Sequence, residues 1–223
     1  MCMTPEKLTE RKERIEKLND ELKKLFPHAK IALHYSTPWE LVVAVILSAQ
    51  CTDKKVNSVT EALFKKYKTL DEYVHADIRE FEQDIRSCGY YHAKAKNILG
   101  AAEILQKDFG GKVPRTMAEI TKLPGVARKT GNVVLGTAYG VVEGIAVDTH
   151  VIRFVSRFDL SDHKEAVKIE KDLMELLSKK EWAHFTYRVI DYGRTIAPAH
   201  TYDTSTDPLL KIYPPAAKKF RTS

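Results

Sequence analysis

Leu123-Pro124-Gly125-Val126-Ala127-Arg128-Lys129-Thr130-Gly131-Asn132-Val133-Val134-Leu135 is the stretch that decides how this chain is read. A short helix, Met117 to Lys122, runs into a turn containing Pro124 and Gly125, and a second helix starts near Ala127. The first backbone N–H groups of that second helix have no intrahelical partner. They point outward and carry the positive end of the helix dipole, so a phosphate fits there. Gly125 permits the turn and a close approach of a nucleic-acid backbone. Arg128 adds charge. Lys129 falls in the first turn, where the dipole disfavours an ammonium and partial burial would disfavour it further. A neutral amine is what a Schiff-base nucleophile needs. The plain alternative is a solvated lysine after an ordinary turn between helices.

Downstream stands Val147-Asp148-Thr149-His150-Val151-Ile152-Arg153. Asp148 precedes a helix and reads first as its N-cap. A capping carboxylate can also face a substrate, where it assists proton transfer or stabilises positive charge on a departing sugar. Elsewhere the signals are helical throughout. Ile15, Leu18, Leu22, Leu25 and Phe26 make one apolar stripe, opened by Thr4-Pro5. Thr37-Pro38-Trp39-Glu40 is a capping box opening a helix through Ala49 that is apolar on nearly all sides and therefore central to a core. Tyr91 to Asp108 forms a longer helix stopped by Gly110-Gly111. Thr116 to Glu119 is a second capping box. Asp162 to Glu165 places an acidic cap before the stripe Val167, Leu173, Leu176 and Leu177. No segment keeps a period of two, so the expected fold is all-α.

The 223 residues suffice for one large domain or two small ones. Lys and Arg number 36 against 30 Asp and Glu, a net charge of +6 that favours acidic partners, nucleic acid first. The opening stretch is charged and lacks an apolar targeting segment. The longest apolar run, Leu41 to Leu47, is too short to cross a bilayer. Cys2, Cys51 and Cys88 are scattered without C-x-x-C spacing. They point to a reduced, intracellular protein and away from a cysteine metal site.

The hairpin followed by Ala146-Val147-Asp148-Thr149-His150-Val151-Ile152-Arg153 closely resembles the helix-hairpin-helix DNA glycosylases of the endonuclease III type. The resemblance extends to Leu47-Ser48-Ala49-Gln50-Cys51-Thr52-Asp53, to Gly89 through Ile98, and to Tyr192-Gly193-Arg194. It implies two helical domains with a DNA-binding cleft between them. Residues 31–142 would form a six-helix barrel containing the hairpin, and residues 1–30 with 143–223 a smaller terminal domain. It implies that Lys129 is the nucleophile and Asp148 the catalytic aspartate. Gln50 would fill the gap left by an extruded nucleotide, and Tyr90 stands where the family has an apolar wedge. Thr52, Asp53, Lys94, Gly125, Ala127, Arg128, Thr130 and His150 are the further residues expected against DNA. The implied activity is that of a bifunctional glycosylase and abasic-site lyase. Its substrates would be oxidised pyrimidines and abasic sites in double-stranded DNA, and the protein would act as a monomer away from membranes.

One departure is large. The family's closing C-x6-C-x2-C-x5-C, which holds a [4Fe–4S] cluster, is replaced here by Ala197, Thr204, Asp207 and Tyr213. These supply no thiolate, so no cluster and no other cofactor is expected. Leu209, Leu210, Ile212 and Tyr213 are the candidates to fill its volume. Lys211, Lys218, Lys219 and Arg221 could keep a basic face there. A metal held by His200, Asp203 and Asp207 is the lesser reading beside a polar loop. A non-catalytic helix-hairpin-helix DNA-binding module is the main rival to the enzyme, since it would need neither Lys129 nor Asp148. Monofunctional relatives lack the lysine.

Overall fold

The computed structural model describes residues 4–199 and 201–220, without the side chains of 219 and 220. Cys2, His200, the side chain of Lys219, and Arg221 lie outside the described residues. The chain divides into two compact units, residues 32–143 and residues 1–31 with 144–223. The elements are α-helices and 3-10 turns, and no strand occurs among the described residues.

The chain opens with α1 (Pro5–Leu25), capped by the Thr4 hydroxyl, which accepts from Lys7 N–H. It then builds the inner unit from α2 (Pro38–Leu47), α3 (Asp53–Lys66), α4 (Leu70–Val74), α5 (Ile78–Ile85), α6 (Tyr91–Asp108), α7 (Met117–Ile120) and α8 (Arg128–Tyr139). As its composition requires, α2 is central: Leu41, Val42, Val43, Ala44, Ile46 and Leu47 are all buried, and α2 packs on α3, α6 and α8. It ends at Leu47, two residues short of the expected Ala49, because Ser48 to Gln50 turn and Gln50 takes a left-handed conformation (φ 52°). Its box is modified too. Thr37 caps Glu40 N–H, but the Glu40 carboxylate accepts from Ser36 N–H, not from Thr37. At the other end of α6, Gly111 N–H closes back on the Leu105 carbonyl at 2.9 Å, the stop that the Gly-Gly pair announced.

The chain returns to the terminal unit as α9 (Thr149–Arg157), α10 (Ala166–Leu176) and α11 (Trp182–Thr195), followed by 3-10 turns at Pro208–Lys211 and Pro214–Phe220. Ile15, Leu18 and Leu22 of α1 join Phe154, Phe158, Leu173, Phe185 and Tyr192 in its core. Two expectations fail here. Val167 is exposed, and Ile169 takes its place in the core; the helix phase set by Leu173 and Leu176 turns Val167 outward. Asp162 does not cap α10. Its carboxylate accepts from Lys7 and from Arg11, which is fully buried and also bonds Asp159.

Candidate active site and nucleic-acid interface

The hairpin is built as a helical stop and a restart. Thr116 caps α7 by accepting from Glu119 N–H, and α7 ends after Ile120, two residues earlier than expected, in a run of turns. Gly125 sits at φ 78°, a conformation costly for other residues. A β-carbon there would also meet Asn97 Cβ at 3.0 Å. Both the turn and its contact with α6 therefore need glycine. Gly131 serves α7 in the same way: an added β-carbon would lie 2.7 Å from Met117 Sδ. Ala127 is the N-cap of α8, and no side chain caps that end. The N-terminus of α8 is thus the kind of helix end that accepts an anion.

Arg128, Lys129 and Thr130 follow in the first turn of α8. Arg128 is exposed and reaches the Glu143 carbonyl at 3.5 Å. Lys129 is the second residue of the helix and is exposed, so the partial burial expected of it is not found. The end of the helix dipole is the influence the fold does provide there. Thr130 is half-buried and, with Gly125, lines a cavity of about 210 Å³ whose wall also includes Val45, Ile46, Gln50, Tyr90, Lys94 and Asn97.

Gln50 and Tyr90 come to this one cavity from two loops. Both are exposed, and both adopt positive φ, 52° and 49°. A non-glycine residue in the left-handed region costs about 1–2 kcal/mol, and such strain gathers at functional sites. Thr52 caps α3 by accepting from Lys55 N–H, and Asp53 opens that helix. Lys94 departs from its expected role. It is buried, and its ammonium donates to the Leu47 and Cys88 carbonyls, each at 2.8 Å. It joins the two loops instead of reaching for a phosphate. Burial lowers its pKa, against the pull of Cys88 and Cys51.

In the terminal unit Asp148 caps α9, its Oδ1 accepting from Val151 N–H at 2.9 Å, and is half-buried. One turn on, His150 and Arg153 lie against Gly193 of α11. A β-carbon at Gly193 would fall 2.4 Å from His150 Nδ1, so glycine is what lets His150 sit there. This explains the glycine of the Tyr-Gly-Arg motif, whose reason sequence patterns do not supply. Burial, then neighbouring Arg157, push the Arg153 pKa down, opposed by Asp148.

Three of the four residues at the family's cluster positions are otherwise engaged. Ala197 is buried in the terminal core. Asp207 is buried and accepts from the Tyr192 and Tyr202 hydroxyls and, at 2.9 Å, from Leu209 N–H. Burial, followed by the Asp207 hydrogen bond, pushes Tyr202 up to about 12 and Tyr192 further in the same direction. The Tyr213 ring lies 4.1 Å under the Arg14 guanidinium, and Arg157 covers Tyr202 at 4.2 Å. Leu209 is fully buried, with Leu210, Ile212 and Tyr213 packed beside it. An alanine, a threonine, a carboxylate held by three donors and a tyrosine do not form a donor set for a [4Fe–4S] cluster.

Residues 43–179 match the family described as HhH-GPD superfamily base excision DNA repair protein. Endonuclease III of Synechocystis sp. is 45% identical over 193 residues, 86% of this chain and 88% of the relative. Endonuclease III of Bacillus subtilis is 46% identical over 194 residues, with the same shares covered. Among solved structures, an endonuclease III trapped as a covalent intermediate with DNA superposes with a TM-score of 0.89 at 43% identity, covering 94% of this chain and 99% of the other. No described helix is long and apolar enough to cross a membrane. The chain is a member of the HhH-GPD superfamily of base excision DNA repair proteins, within its endonuclease III family.

Proposed function

We propose that this chain is a bifunctional DNA glycosylase and abasic-site lyase of base excision repair, acting as a monomer inside the cell on oxidised pyrimidines in double-stranded DNA. The observation that carries this reading is the place of Lys129. It stands in the first turn of a helix whose N-terminus no side chain caps, in a chain whose solved relatives include one captured in a covalent complex with DNA.

The chemistry follows from the side chains. A damaged base within a duplex must be extruded, at a cost of about a few kcal/mol. Gln50 and Tyr90, exposed and preset by their left-handed backbones, would enter the gap and offset that cost. The uncapped N–H groups of α8 and the Arg128 guanidinium would hold the phosphate backbone. The Lys129 amine then attacks the sugar's anomeric carbon, the C–N bond breaks, and the base leaves with a proton. The C1′–O4′ bond then opens, O4′ taking the proton that the amine gives up, and the resulting Schiff base acidifies the neighbouring C–H. Loss of that proton expels the 3′ phosphate, and hydrolysis frees the enzyme. Asp148 would stabilise the developing positive charge or carry protons. Lys129 is exposed, so its desolvation would come from the bound nucleotide.

We further infer that the chain works without an iron–sulfur cluster or other cofactor, its C-terminal segment being held through Asp207 and the apolar side chains around Leu209. The test is strand cutting on duplexes bearing thymine glycol, uracil or an abasic site, with iron content measured on the same preparation. Cutting at thymine glycol and at the abasic site by iron-free protein is the expected result. DNA binding with no cutting of any duplex would leave the non-catalytic module.

A further inference from the structure

Cys51 and Cys88, distant in sequence, lie on segments that the fold packs together. Cys51 directly follows Gln50 and precedes the cap of α3. Cys88 ends the 3-10 turn Arg86–Cys88, and two residues later comes Tyr90. That turn packs against α3. The Lys94 ammonium ties the same two segments through the Leu47 and Cys88 carbonyls. Cys88 is buried and Cys51 half-exposed. Burial pushes the Cys88 thiol up to about 11, and the adjoining Cys51 thiol, which interacts with it by charge and by hydrogen bond, pushes it further. Cys51 is therefore the accessible partner and Cys88 the concealed one.

We propose that Cys51 and Cys88 are a reversible oxidation site, at which a low-molecular-weight disulfide of the glutathione class links the loops that carry Gln50 and Tyr90. The functional consequence rests on the repair reading above. The Cys51 thiolate attacks one sulfur of the small disulfide, forming a mixed disulfide and releasing one thiolate. Cys88 then attacks the Cys51 sulfur, forming the Cys51–Cys88 bond, and its proton goes to the second departing thiolate. The two cysteines lose two electrons, and the small disulfide is reduced to two thiols. The new bond, about 2.05 Å long, draws the loops together and shifts Gln50 and Tyr90 out of the left-handed backbone conformations that preset them for a duplex. An excess of a small dithiol reverses it.

The experiment uses the full chain with Cys2→Ser, so that the pair alone reacts. The protein is treated with oxidised glutathione and digested without reduction, and the peptides are mapped by mass. In parallel, cutting of abasic DNA is timed before treatment, after it, and after dithiothreitol. The expected result is a peptide linking Cys51 to Cys88. Cutting should slow about tenfold or more and recover fully on reduction. With Cys88→Ala added, no linked peptide should form and cutting should not respond. A stable glutathione adduct on Cys51, two unreacted thiols, or a linked peptide with unchanged cutting would overturn the proposal. Reduced protein that fails to cut would instead overturn the repair reading, because the linkage map is read without DNA.

Discussion

Asp148 carries two roles that its own chemistry can separate. As the cap of α9 it needs only an acceptor oxygen, whereas in the proposed reaction it needs its charge. Asparagine caps about as well as aspartate. Asp148→Asn should therefore leave the melting temperature nearly unchanged while slowing single-turnover base release by about 10²–10⁴-fold. Asp148→Ala should lose as much rate and also about 1 kcal/mol of stability. Equal losses of stability in the two variants, or a normal rate in the asparagine variant, would reduce Asp148 to a cap. Arg128 admits a quantitative test of a different kind. If it neutralises one phosphate, Arg128→Ala should lower the slope of log K against log salt by about 1, with similar weakening on damaged and undamaged duplexes. Measurement of binding across a salt series reads this directly.

The helices were legible wherever a cap and an apolar period coincided. Thr4-Pro5, Thr37-Pro38, Thr116 and Gly110-Gly111 all mark helix ends in the structure. Patterns failed where a polar side chain found a distant partner. Asp162 left its expected cap for Arg11 and Lys7 across the terminal unit. Lys94 turned inward to two carbonyls because α6 enters the core at its first turn. No local pattern announces either choice. The C-terminal segment shows the same limit. That Leu209 would be buried was readable from its neighbours, but the Asp207 contact with two tyrosines was not. Asp207→Ala removes the acceptor that two hydroxyls share, with Tyr192 buried and Tyr202 nearly so. Each lost bond should cost about 1–3 kcal/mol, so urea unfolding should show a loss of about 2–6 kcal/mol. A loss below about 1 kcal/mol would mean that the apolar contacts alone hold the segment.

The terminal unit, joined from both chain ends, depends on charge as well as on its core. Burial would raise the Glu181 pKa, but hydrogen bonds from Arg188, Asn19 and Lys23 outweigh it and hold the group at about 2. Arg11 and Lys7 hold Asp162 at about 2 as well. Both values lie below the ordinary 4.5 and 3.8. Their stabilisation is therefore complete above the ordinary carboxylate range and is lost as pH falls toward 2. The urea midpoint should fall steadily from pH 4.5 to pH 2.5, and Glu181→Gln should make that fall shallower. An unchanged slope in the variant would show that other carboxylates govern acid unfolding.

The proposed chemistry rests on one amine. Borohydride reduction during reaction with an abasic duplex, followed by peptide mapping, asks whether the lysine at the second position of α8 becomes bonded to deoxyribose. A single DNA-bearing peptide containing Lys129, absent in Lys129→Ala although that variant still binds DNA, is the predicted result. DNA attached at another amine, or no covalent product from protein that binds the duplex, would contradict it.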